Sequence, residues 1–405
     1  MGRSPLTPYL LLTMLVLLLG PGIGLGAPVG SVLASSAVMV SASVDAGAGN
    51  VRRELRFLPQ PSFQFVSARL GWLVESPDQN RIMRTVDGGR TWRTSYVAQA
   101  PPGAAEGLVT NVQFVNQRNG LALANRAELI VTHNGGRSWS SLYRSALLSF
   151  DFTSTRDGWA LTSGGGLLKS VNGGRSWEAV SSPIGATLCV TKPGHVWLGG
   201  VDGNVYVATA GGSWSSSLLG SSVPNLQSSV GPPPAVPPPS LFCTATSVWA
   251  LYSWGEAAGS TAYVLERTLD GGRDWAAVLS AQVSPAVDRT PRGAGGTLVD
   301  LAAEGPSTAW FLTYCGPCTT GDPTITSTTD GTDFTATSLP LPHKTYGIPL
   351  SMTFLNPTVG WLVMQEQHVY SLGVSTHAHF TEVVLNTRDG GHRWTVEDQD
   401  LVTGP

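Results

Sequence analysis

The sequence predicts an all-β fold, a seven-bladed β-propeller of four-stranded antiparallel blades. Three observations predict it. A Gly-Gly turn motif ending in an aromatic residue recurs along the chain. A second motif, a bulky residue usually preceded by glycine, alternates strictly with the first. A pair of apolar positions two residues apart precedes each copy of the second motif. Self-similarity at a fixed period marks a repeat architecture, and repeats let a single domain reach 405 residues.

The turn motif is clearest in Thr85-Val86-Asp87-Gly88-Gly89-Arg90-Thr91-Trp92. It recurs around Asn134 and Trp139, Asn172 and Trp177, Asp270 and Trp275, and Asp389 and Trp394. Two copies are degraded: Thr209 to Trp214 is a residue short, and Asp330 is followed by Gly331 and Phe334. An Asp or Asn can accept hydrogen bonds from the amides of its own turn. Two glycines permit positive φ without a Cβ clash, and the leading Thr or Ser adds a local bond. The acidic residue is therefore a turn former with no catalytic role. The Trp opens the following strand and is expected to bury a large area between blades.

The second motif places Trp72, Leu121, Trp159, Trp197, Trp249, Trp310 and Trp361. Together the two slots hold twelve of the 13 tryptophans, leaving out Trp254. Seven residues before each bulky residue stand Phe65, Phe114, Phe152, Val190, Phe242, Ala303 and Phe354. Two residues earlier are Phe63, Val112, Phe150, Leu188, Ser240, Leu301 and Met352. This period of two gives a short strand one apolar face. Each repeat reads strand, turn, strand, strand, Gly-Gly turn, strand, with blades beginning near residues 60, 106, 145, 183, 239, 297 and 347. Such blades must pack radially to bury both faces.

These motifs resemble the Asp-box, or bacterial neuraminidase repeat, superfamily. The pairing of Gly-Trp with Thr-x-Asp-Gly-Gly-x-Thr-Trp is most similar to the photosystem II assembly and stability factor family, over about residues 60 to 398. The resemblance implies a seven-bladed propeller acting as an assembly chaperone. The long Pro-rich insert and the two weak boxes depart from that family's pattern.

Charged residues make up 13% of the chain and the net charge is −3. Nothing forms a basic footprint for nucleic acid. Arg3 followed by the apolar run Tyr9 to Gly20 reads as an export signal over residues 1–27, with Gly26-Ala27 or Leu33-Ala34 as candidate cleavage points. The run is shorter than the roughly 20 residues of a membrane span. Left uncleaved, it would be an N-terminal anchor holding the chain near a membrane. Residues 28–59 read as a flexible leader and 60–405 as the propeller. A secreted or envelope-facing location follows.

The rival reading is a secreted glycoside hydrolase of the sialidase type. That chemistry needs an arginine cluster and a Tyr activated by Glu. Arg56-Phe57-Leu58-Pro59 misses the Arg-Ile-Pro signature by one residue, and Arg90, Arg137, Arg175 and Arg273 all follow turn glycines. Cys315-Gly316-Pro317-Cys318 lacks the helix a redox thiol needs, so a structural disulfide is expected there. Cys189 and Cys243 lie eight and six residues before Trp197 and Trp249. Equal parity points them the same way around the ring, so two separate buried thiols are expected. His377-Ala378-His379 and His368 suggest a metal pair, with a solvated loop as the expected reading. Gly231 to Pro239 is a polyproline segment able to dock on aromatic partners. The expectation is a binding scaffold for a protein or cell-envelope component, without catalytic residues, cofactor or metal, whose partner meets the loops Leu218 to Ser240 and Ser280 to Gly296.

Overall fold

The computed structural model describes residues 38–43, 52–57, 63–75, 80–104, 107–192, 195–208, 212–217, 236–244, 246–257, 260–281, 296–314, 323–339, 347–372 and 375–401. Residues 1–37, Cys315 and Cys318, residues 231–235 of the polyproline run and most of both long loops lie outside these. Within the expected leader, Val38–Ser43 pairs antiparallel with Arg52–Phe57.

Seven four-stranded antiparallel sheets follow one another along the chain. Their first strands are Phe63–Phe65, Val109–Phe114, Leu147–Phe152, Gly185–Lys192, Ser240–Cys243, Thr297–Glu304 and Gly347–Phe354. Each starts within a few residues of the boundary expected from the repeats. Successive first strands touch, and Gly347–Phe354 touches Phe63–Phe65, which closes the ring. Every blade is built from consecutive strands, so among the described residues no strand pairing joins the last blade to the first.

The second strands are buried along nearly their whole length, as in Gly71–Val74 and Gly120–Ala124. A neighbouring blade covers each face, which is why these segments read as continuous apolar runs. Trp72, Trp249, Trp310 and Trp361 are the largest fully buried side chains. The Trp residues of the Gly-Gly turns, Trp92, Trp139, Trp177, Trp214, Trp275 and Trp394, are only partly buried. The greater interblade burial therefore belongs to the second motif, which corrects the expectation for the first.

The glycine before the second-strand Trp has a specific cause. Phe65, Phe114, Phe152 and Phe354 pair with Gly71, Gly120, Gly158 and Gly360. A Cβ on those glycines would come within 2.7, 2.6, 2.4 and 2.5 Å of the phenyl ring. The ring lies over the glycine and faces the preceding blade. Phe65 stacks on Trp361, Phe114 on Trp72 and Phe354 on Trp310. Blades four to six replace the Phe–Gly pair with Val190–Val196, Cys243–Val248 and Ala303–Ala309.

Blade five thus departs from the spacing read in the sequence. Phe242 pairs with Trp249, and Cys243 takes the slot assigned to Phe242. Its turn between first and second strands is one residue shorter than in the other blades, which reverses the face of every first-strand residue relative to the count from Trp249. Cys243 therefore faces back to blade four while Cys189 faces forward to blade five. The two form a disulfide, with Cα atoms 5.7 Å apart. The expectation of separate thiols rested on a constant turn length, and it is wrong for that reason.

Candidate functional site: central channel and connection face

The first strands wall a central channel with a cavity of about 740 Å³. Its lining includes Asn111, Gln113, Asp151, Thr191 and Thr353 beside apolar residues such as Leu188 and Met352. Among these described lining residues no arginine, tyrosine or glutamate occurs.

One position in the wall recurs as a tie to the next blade. Gln64 accepts the Phe114 N–H (2.7 Å) and donates to the Phe114 carbonyl (3.2 Å). Gln113 does the same with Phe152, at 2.8 and 3.2 Å, and also donates to Asp151 at 2.8 Å. Asp151 accepts the Val190 N–H at 2.8 Å. Cys189 stands in the equivalent place and makes its tie covalently. Blade six reaches blade seven from a bulge, where Asp300 accepts from Met352 N–H and Ser351 Oγ. Burial pushes the Asp151 carboxyl up against the pull of its bonds to Gln113 and Val190. Burial likewise raises Asp300 to about 6, with Met352, Ser351 and Leu301 opposing. The wall is thus polar yet occupied with holding itself together, a rigid recess rather than a set of free reactive groups.

The two faces of the disc differ. On one, the Gly-Gly turns of blades one, two, three and seven pack on the first turns of their own blades. Gly88 N–H donates to Arg69, Gly135 to Arg118, Gly173 to Arg156 and Gly390 to Thr358. The motif residues behave alike. Asp87 accepts from Thr85 Oγ1 (2.8 Å), Thr91 N–H (3.0 Å) and Thr91 Oγ1 (2.6 Å), while Gly89 N–H donates to Thr85 Oγ1 (3.0 Å). Asn134, Asn172, Asp270, Asp330 and Asp389 each accept from their leading Thr or Ser and from an amide further along the turn. Gly88 and Gly89 have φ of 88° and 99°, which only glycine adopts without strain. The amides of Asp333 and Thr332 hold Asp330 down at about 2. These carboxylates are engaged in shaping turns, on exposed edges away from the channel.

The opposite face carries the second-to-third strand turns and the links between blades. Their mutual bonds show it: Ser145 N–H donates to Ala127, Gly185 to Gly165, Thr261 to Gly296 and Leu339 to Pro323. This connection face is low over blades two and three, where Ala124 and Glu128 bound one turn and Arg144 and Leu147 one link. Its longer connections belong to blades four to seven. There the chain leaves at Ser217 and returns at Ser240, leaves at Ala281 and returns at Thr297, and spans 315–323 within blade six. The strand pairs Val248–Ala257 with Ser260–Thr268 and Gly360–Leu372 with Ser375–Thr387 are the longest hairpins. Both loops named from the sequence spring from this face.

Blade seven also changes the reading of its histidines. His368, His377 and His379 stand in paired strands, not in a loop. Among residues whose side chains are described, no group of three His, Cys, Asp or Glu is placed to hold a metal. No described helix is long and apolar enough to cross a membrane.

No protein-family model matches the chain, and no curated protein matches it. Solved structures do. YCF48 bound to D1 peptide aligns with a TM-score of 0.49 and 16% identity, covering 76% of this chain and 92% of that one. YCF48 from Cyanidioschyzon merolae gives 0.47 and 15%, over 75% and 93%. The structure of U3-55K gives 0.47 and 13%, over 75% and 88%. These similarities are of backbone architecture.

Proposed function

We propose that this chain is an extracytoplasmic, non-catalytic scaffold that binds another protein on its connection face over blades five to seven. The observation that carries the reading is the asymmetry of the disc. One face repeats a tight turn, whereas the long connections of blades four to seven all leave from the other. Binding residues gather on loops held by such a frame. The segment 218–240 contains no charged residue and is rich in proline, which suits contact with an apolar or aromatic protein surface. The Cys189–Cys243 disulfide supports an oxidising compartment. The channel, with its acids tied to neighbouring amides and no arginine among its lining residues, offers little to a sialidase reaction.

The test is capture of protein partners from the native envelope by the full chain and by a variant lacking Gly231 to Ala235, which keeps the buried Pro238 and Pro239 and the packed Val236. Shortening a surface loop changes closure entropy slightly, so the variant should melt like the parent and lose capture. Equal capture by both would place binding elsewhere. Hydrolysis of a sialoside or glucan by the purified chain would overturn the non-catalytic reading.

A further inference from the structure

The face that carries the Gly-Gly turns is electrically divided. Over blades two and three its turns present Arg118, Arg137, Arg156 and Arg175, all exposed, against the partly buried Asp157. Asn134 and Asn172 stand where blade one has Asp87, so these two boxes add no acid of their own. Over blades five and six the turns present Asp270, Asp274, Asp330 and Asp333, all exposed, against Arg273. The bordering strand residues cancel, Lys169 against Glu178 and Arg267 against Glu304. One sector therefore carries a net charge of +3 and the other −3. Among the described residues, none of these turn charges is matched in an ion pair. The amides of Asp274 and Asp333 lower the pKa of Asp270 and Asp330, so both stay ionised.

The ring decides how the sectors are placed. Successive blades are neighbours and the last touches the first, so the two sectors lie three blades apart out of seven, nearly opposite one another. Opposite charges on opposite sides of one face are self-complementary about a two-fold axis lying in that face. The axis that exchanges the sectors runs over blade four and over the seam between blades one and seven. It sets Arg118 and Arg137 against the partner subunit's Asp330 and the partner subunit's Asp333. It sets Arg156 and Arg175 against the partner subunit's Asp270 and the partner subunit's Asp274. Blade four meets its own copy, and its shortened turn from Ala210 to Ser213 is uncharged, so that turn brings no like charges together on the axis. The same operation matches apolar groups. Val171 and Leu269 hold the same place in their boxes and are 53% and 57% exposed. Val171 falls against the partner subunit's Leu269, and the axis repeats the pair.

We propose that the Gly-Gly turn face is a self-association surface, on which a second copy of this chain docks face to face about this two-fold axis. Exposed ion pairs are individually weak, so the dimer is a weak one held by many of them, and salt weakens it. Both connection faces then point outward, away from the contact. The dimer does not rest on the scaffold reading, because it uses the other side of the disc.

The experiment is sedimentation equilibrium of the full chain over a range of concentrations. At low ionic strength a monomer–dimer equilibrium should appear. In about 1 M salt, where the Debye length falls to about 3 Å, the dissociation constant should rise at least about tenfold. Arg137→Glu with Arg175→Glu makes the whole face acidic, and Asp274→Arg with Asp333→Arg makes it basic. Neither pair removes a turn-forming Asx residue. Each double variant should be monomeric alone, with a parental melting curve. An equimolar mixture of the two should dimerise again, because each face now complements the other, and a misfolded variant could not restore it. The variant lacking Gly231 to Ala235 should dimerise as the parent does, which separates this contact from partner capture. A parent that stays monomeric at low salt, a dimer indifferent to salt, or two double variants that remain monomeric when mixed would overturn the proposal.

Discussion

Phe65 and Trp361, at opposite ends of the propeller sequence, lie ring on ring with centroids 3.6 Å apart and planes 3° from parallel. The Trp361 indole N–H donates to the Gly88 carbonyl at 2.8 Å, so the last blade reaches both the first strand and the Gly-Gly turn of the first blade. Arg90 and Glu397 pair across the same seam at 2.9 Å. The bond is not peculiar to closure, because Trp310 donates to Gly390 in the same way. At these two seams the second-strand tryptophan of one blade bonds to the Gly-Gly turn of the next.

Removing this contact should cost more than removing the turn tryptophan. Trp361 is 1% exposed, and Trp361→Ala leaves a cavity at the closing seam worth about 3–5 kcal/mol. Trp92→Ala, at a half-buried position, should cost less. Asp87→Ala should cost about 1–2 kcal/mol through lost turn hydrogen bonds. Denaturant melts of the three variants should rank them in that order. A larger loss for Trp92→Ala would show that the turn motif carries the interblade packing after all.

The disulfide makes a second expectation. Peptide mapping under non-reducing conditions should recover the peptides containing Cys189 and Cys243 as one linked species. A cross-link closing 54 residues typically contributes about 2–4 kcal/mol, so Cys189→Ser with Cys243→Ser should lower the melting temperature. Free thiols at both positions in protein from an oxidising compartment would refute the pairing.

The sequence carried the blade count and register because they rest on large, repeated residues. It also carried the turn chemistry, since Thr, Asp and Gly-Gly act within a few residues of one another. The disulfide was hidden by one missing residue in a turn, yet a signal was present. Where Phe fills the first-strand slot, Gly precedes the second-strand bulky residue. Val248 precedes Trp249, so no Phe can fill that slot in blade five and Phe242 had to face elsewhere. The ties made by Gln64, Gln113 and Asp151 went unread because they are single polar residues whose partners lie in another blade.

Asp300 gives a pH signature of defined sign. Its folded pKa of about 6, raised chiefly by burial, exceeds the roughly 4 of an unfolded aspartate. Between those values the folded chain holds a proton that the unfolded chain releases, so this group's contribution to stability falls as pH rises from about 4 to 6. Asp87, Asp330 and Asp389 are shifted downward and act in the opposite sense at lower pH. The comparison with Asp300→Asn isolates the effect, because Asn keeps an oxygen for the Met352 N–H. The variant should gain stability relative to the parent as pH rises through 4 to 6. A constant difference over that range would mean the carboxyl titrates normally.

The tie between blades three and four can be improved by copying the blade before it. Gln113 both accepts from the Phe152 N–H and donates to the Phe152 carbonyl. Asp151, in the same slot, accepts from the Val190 N–H, but an ionised carboxylate cannot donate to the Val190 carbonyl. It also keeps a charge where burial disfavours one. Asp151→Gln would supply the missing donor and remove the charge, and the open channel leaves room for the added methylene. We expect a gain of about 1 kcal/mol at neutral pH, the usual net worth of a hydrogen bond. Because the Asp151 pKa is raised, the parent should regain ground as pH falls and the carboxyl takes up its proton, so the gain should shrink toward acid. Melts at neutral and acid pH check both parts. A loss at neutral pH would show that Asp151 is held for something other than the seam, and would make its carboxylate the first group to examine in the channel.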